Sequence, residues 1–192
     1  MVDFEREIAR MRELGVEMKP NTISIKIPNA KELLQMGLNK FCGEQARWLK
    51  EYDEIAEWLS DNKGRGLLCH GSCGLGKSLI CGKIVPILIN HYYGLNVCFH
   101  DAQSMNEMVD TIKQQKLIYI DDIGTEHQSV KFGERRETFP EIVDEAEKKG
   151  KFLIVTTNLS MTELKAKYGE RTLDRLRAIT KRVKLEGKSL RK

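Results

Sequence analysis

The apolar positions change their spacing near residue 60. Before it they recur mostly at helical intervals. Phe4, Ile8, Met11 and Leu14 share one face of a charged helix over the first 20 residues, ended by Pro20. Residues 22–27, Thr-Ile-Ser-Ile-Lys-Ile, alternate and predict a short strand stopped by Pro28. A helical region follows, strongest over residues 44–59, with Trp48, Leu49, Tyr52, Ile55, Ala56 and Leu59 as a core-facing stripe. From Gly64 onward short continuous apolar runs take over, at residues 67–70, 96–99, 117–120 and 152–155, with a weaker alternating fifth at 182–185. Helical patterns lie between most of them. Continuous apolar strands separated by helices predict a parallel α/β sheet covered on both faces, with ligand chemistry at the carboxyl ends of the strands. Residues 1–60 are then a helical extension packed on or leading into the core, and residues 61–192 the core with a basic C-terminal segment. Pro86 conflicts with the helix expected after Lys77, because it removes a hydrogen bond and kinks a helix.

Composition narrows the class. The 192 residues suit one domain with a short appendage, and 41% apolar content excludes a disordered chain. A net charge of +4 excludes a histone-like polycation. The longest strongly apolar run, residues 84–89, is far short of the ~20 residues of a membrane span. The charged start lacks the apolar stretch of a signal peptide, so the expected location is the cytoplasm, with no membrane partner. The five cysteines (Cys42, Cys69, Cys73, Cys81 and Cys98) are odd in number and form no CxxC pair. Reduced thiols follow, rather than a disulfide framework or a zinc site.

Residues 71–78 match GxxxxGK[ST], after an apolar strand and before a helical stretch. Gly71, Gly74 and Gly76 let the backbone turn its N–H groups toward phosphate oxygens, and the helix beginning near Lys77 adds its positive end. The nucleotide-binding residues are then Gly71, Ser72, Cys73, Gly74, Leu75, Gly76, Lys77, Ser78 and Leu79. Lys77 reaches the β and γ phosphates and Ser78 holds Mg²⁺. Asp121 and Asp122 emerge from the apolar run 117–120. Asp121 is placed to hold Mg²⁺ through water, and Asp122 to orient or activate the attacking water. Glu126 is a weaker candidate. Asn158, at the tip of the next strand, either positions the hydrolytic water or caps the following helix. Arg171 and Arg175 lie four apart on one helical face, which is either solvated or able to reach a neighbouring subunit's phosphates. Residues 163–192 hold eleven Lys or Arg and four Asp or Glu, a net of +7, so the rest of the chain sums to −3. Such a segment suggests a polyanion contact, or a solvated basic end.

Together the phosphate loop, Ile120-Asp-Asp-Ile-Gly-Thr-Glu126, Thr156-Thr-Asn158 and above all Tyr168-Gly-Glu-Arg-Thr-Leu-Asp-Arg-Leu176 resemble AAA+ ATPases of the bacterial replicative helicase loader type (DnaC and DnaI), and their IstB-type transposition relatives. The resemblance covers residues 64–192. It implies a three-layer P-loop NTPase fold with a small or absent lid, ATP and Mg²⁺ bound between subunits of an ATP-dependent oligomer, and ATP hydrolysis, which the short Asp122 side chain is expected to slow. It also implies single-stranded DNA and a replicative helicase as partners. By position the arginine finger falls on Arg175, the sensor-one role on Asn158, and the sensor-two arginine on Arg191. Asp122 stands where many AAA+ proteins carry Glu. An IstB-like regulator of a transposase on duplex DNA is the nearest rival, and a small-molecule P-loop kinase or a non-hydrolysing assembly switch are the others.

Overall fold

The computed structural model describes residues 2–16, 21–126, 130–131, 134–135 and 138–190. Helices α1 (Phe4–Glu13), α2 (Ala30–Cys42) and α3 (Tyr52–Ser60) precede strand β1 (Gly66–Gly71). After the phosphate loop come α4 (Lys77–Leu79), a π-helical turn (Ile80–Ile84) and α5 (Val85–Tyr93). The chain continues through β2 (Cys98–Asp101), α6 (Met105–Ile112), β3 (Leu117–Ile123), and a two-strand ladder of β4 (Val130–Lys131) and β5 (Glu134–Arg135). It ends through α7 (Thr138–Lys149), β6 (Phe152–Thr157), α8 (Met161–Ile179) and β7 (Thr180–Leu185). All five strands expected from the apolar runs are present. They form one parallel sheet in the order β2-β3-β6-β1-β7.

Strand side chains alternate between two apolar cores, which makes the protein three-layered. Leu67, Cys69, Tyr119, Ile154 and Val183 face α2, α3, α5 and the π-turn. Leu68, Ile118, Ile120, Leu153 and Val155 face α6, α7 and α8. Cys69 and Cys81 meet in the first core with sulfurs 3.6 Å apart, and all five cysteines are free thiols.

Three local expectations are corrected. Residues 22–27 form no strand, although Ile25 and Ile27 are fully buried. They run extended over α3, held by Ile25 N–H to Asn62 Oδ1 (2.8 Å) and Ile27 N–H to the Leu59 carbonyl (3.0 Å). Burying each isoleucine contributes about 2 kcal/mol, enough to seat the segment without a ladder. The helix expected over residues 44–59 begins only at Tyr52. Helices α2 and α3 pack together, and the chain passes between them through Gly43 (φ 56°), a 3-10 turn over Gly43–Gln45 and the residues up to 51. The first helix is also shorter than expected, and residues 17–20 lie outside the described residues. Pro86 sits near the start of α5, after a π-turn that shifts the hydrogen-bond ladder where its missing N–H would fall.

His70, next to the last residue of β1, is buried, and neither ring nitrogen meets a hydrogen-bonding partner among the described residues. Burial, reinforced by Arg182, Lys184 and Lys77, pushes its pKa from 6.5 to about 4. Above pH 6.5 the ring is neutral in both states, and as pH falls toward 4 only the unfolded chain takes up its proton, so the fold loses up to about 3 kcal/mol of stability. Denaturant titrations at a series of pH values should show the acid-side slope shrink in His70→Leu. An identical slope in the two proteins would refute the assignment.

Candidate nucleotide site

The sheet order puts β6 between β1 and β3, so the phosphate loop, the aspartate pair and Asn158 leave three adjacent parallel strands at the same edge. Gly71 (φ 124°) lets the loop leave β1, since a Cβ there would lie 2.0 Å from the Leu185 carbonyl oxygen. Gly76 (φ 74°) starts the helix at Lys77. Beneath the loop the buried Tyr52 hydroxyl donates to the Leu75 carbonyl (3.1 Å), and burial raises its pKa to about 12, which keeps it a donor. Ser72 N–H donates to the Leu185 carbonyl and Leu190 N–H to that of Gly74, so the segment after β7 folds back onto the loop.

Lys77 is 6% exposed, and its three ammonium hydrogens are spent on the Gly71 carbonyl (2.8 Å), the Ser72 carbonyl (2.7 Å) and Asn158 Oδ1 (2.9 Å). Burial lowers its pKa. Asn158 Nδ2 donates in turn to Asp122 Oδ1 (2.7 Å), so one amide links the loop lysine to the second aspartate. The cap of α8 is Ser160, in a reciprocal capping box with Glu163, which leaves the Asn158 side chain to the site. Asp121 Oδ1 accepts from Ser78 Oγ (2.8 Å), the Tyr119 hydroxyl (2.5 Å) and Thr156 Oγ1 (2.5 Å). The Thr156 oxygen also accepts from Asp122 N–H at 2.9 Å. Burial, then the neighbouring Asp121 charge, raises the Asp122 pKa. Its backbone holds φ 56°, a left-handed conformation that costs a non-glycine residue about 1 kcal/mol or more and concentrates at functional sites. Ser78 and Asp121 offer hard oxygen donors side by side, the type Mg²⁺ takes, and the pair fits that ion.

These residues border a cleft of about 720 Å³. Its other wall is Leu38, Phe41, Cys42, Gln45, Arg47 and Tyr52, with Cys73, Leu79 and Leu190 also lining it. By its spacing Tyr52 belongs to the core-facing stripe, and no motif marks a site residue before the loop. The one available signal is the apolar stripe, which does not reveal what its far end touches. Glu126 accepts from Gly124 N–H (2.7 Å) and from the Tyr168 hydroxyl, and pairs with Lys167 at 3.3 Å. Arg175 lies on α8, beyond the kink at Gly169 (φ 83°), and pairs with Asp144 and Glu147 (3.1 Å) of α7. Arg191 lies outside the described residues.

The parallel sheet and the glycine-rich loop at its carboxyl edge define the P-loop NTPase fold. The chain belongs to the Novel STAND NTPase 3 family (nSTAND3), whose model matches residues 49–191. No curated protein matches it in sequence. Among solved structures it is similar to the DnaC helicase loader (20% identity, TM-score 0.54, covering 64% of this chain and 78% of that one). It is also similar to DnaI (23%, 0.50, 66% and 73%) and to a proposed primosome component from Streptococcus pyogenes serotype M3 (17%, 0.53, 84% and 82%). At these identities the likeness is one of fold. Among the described residues no helix is long and apolar enough to cross a membrane.

Proposed function

We propose that this chain binds ATP with Mg²⁺ in the cleft, hydrolyses it slowly, and acts in DNA replication as a helicase loader that assembles with itself and binds single-stranded DNA. The observation that carries the catalytic part is the convergence of Lys77, Ser78, Asp121, Asp122 and Asn158 from three adjacent strands. In this reading Gly71 through Leu79 cradle the phosphates and Ser78 and Asp121 hold the Mg²⁺, which when bound neutralises phosphate charge. Lys77 exchanges its carbonyl partners for phosphate oxygens. Asp122 and Asn158 orient the attacking water, the short Asp122 side chain keeping turnover low. Residues 1–60 act as an extension that completes the cleft. The helicase and DNA assignments draw on the residue 168–176 motif, on the fold shared with the DnaC helicase loader and with DnaI, and on the +7 of residues 163–192.

Arg175 completes a neighbour's site only after leaving Asp144 and Glu147. Arg175→Ala should keep nucleotide affinity and lose about 10³-fold in turnover at concentrations that support assembly. Its partly exposed ion pairs contribute about 1 kcal/mol or less, so the fold should survive. Normal turnover in that variant would eliminate the trans role. The wider reading is tested by ATPase rates with and without single-stranded DNA, the mass of the ATP-bound assembly, and retention of a ring helicase from native extract. DNA-independent turnover by a monomer would refute it, and retention of a transposase in place of the helicase would install the transposition reading.

A further inference from the structure

The run 117–120 contains one polar side-chain atom, the hydroxyl oxygen of Tyr119, and the fold spends it on the site. Three hydroxyls converge on a single oxygen, Asp121 Oδ1. A carboxylate oxygen has about two lone pairs, so one of the three donors can leave without orphaning it. Tyr119 and Thr156 are each 1% exposed, whereas Ser78 is exposed. The buried pair stays and Ser78 is the donor free to depart.

The Tyr119 ring has little freedom. A Cβ on Gly82 would lie 2.7 Å from its Cε1, so the ring rests on bare backbone of the π-turn, and Phe99 packs against it with ring centroids 5.5 Å apart. Gly82 is four residues before Pro86, which has no N–H to offer the Gly82 carbonyl. The missing side chain of Gly82, within the π-turn, is what leaves room for the Tyr119 ring.

The geometry points to Tyr119 as a positioning residue for the cation-binding carboxylate: with Thr156 it holds Asp121 in one rotamer whether or not Ser78 is bonded to it. This rests on the nucleotide–Mg²⁺ reading above. Tyr119→Phe keeps the ring and removes only the hydroxyl. In equilibrium binding of a fluorescent ATP analogue, the Mg²⁺ concentration at the midpoint should rise about tenfold, the low end for outer hydrogen-bond partners of metal ligands. Affinity for the analogue in EDTA and the thermal midpoint should stay at wild-type values. Gly82→Ala, which displaces the ring without touching its hydroxyl, should move the same midpoint. Coincident Mg²⁺ titrations of wild type and Tyr119→Phe overturn the inference, as does an equal loss of affinity with and without Mg²⁺. Absence of any binding by wild type overturns the nucleotide reading itself, and is told apart because no titration is then seen for either protein.

Discussion

Lys77→Ala should reduce ATP affinity about a hundredfold or more and leave no measurable turnover. Two charge-assisted hydrogen bonds to phosphate oxygens contribute about 3 kcal/mol, and nothing else on the loop carries a full positive charge. The fold should tolerate the change. The ammonium's acceptors are two loop carbonyls beside an open cleft, which water can satisfy, and Asn158, which keeps Asp122. Calorimetric titration with ATP and Mg²⁺, alongside thermal unfolding, checks both halves. Wild-type affinity in the variant would place the nucleotide somewhere other than this loop.

The largest expected loss of stability comes from a residue outside the chemistry. A Cβ on Gly66 would sit 1.9 Å from the Leu153 carbonyl oxygen and 2.8 Å from its carbon. Both are backbone atoms of β6, the strand that β1 pairs with on one side while β7 pairs on the other. A side-chain obstacle could rotate away, but this one moves only if the central ladder opens. Gly66→Ala should therefore cost about 3 kcal/mol or more, a fall of about 10 °C in melting temperature for a domain this size. Gly94→Ala is the matched control. Gly94 has φ 64°, but a Cβ there would meet nothing within 4 Å, so only the backbone term of about 1 kcal/mol remains. Equal losses in the two variants would show that the close approach at Gly66 is not what limits the sheet.

The strands were legible because parallel sheets buried on both faces need unbroken apolar runs, and residues 67–70 or 152–155 satisfy no other element so well. The phosphate loop was legible because its chemistry depends on glycine and lysine at fixed offsets in one continuous segment. Residues 22–27 misled for a related reason. Alternation reports that one side of an extended segment is buried, not that its backbone finds a strand to pair with, and here Asn62 and Leu59 supply the partners. Residues 46–51 carry a sound helical stripe, but they serve as the connection between two helices that pack together, and the helix begins only at Tyr52.

The sequence by itself therefore determined the α/β class, the five strands, the glycine-rich loop with its lysine and the two aspartates beyond it, because each is written in neighbouring residues. Only the tertiary structure decided which distant groups complete them. It set Asn158 between Lys77 and Asp122, because β6 inserts between β1 and β3. It brought residues 38–52 round to wall the cleft and Tyr52 under the loop. It turned Tyr119 from an apolar-run residue into a partner of Asp121, and set Gly82 beneath that ring. Such contacts span tens of residues and depend on strand order and layer packing, which local spacing does not encode.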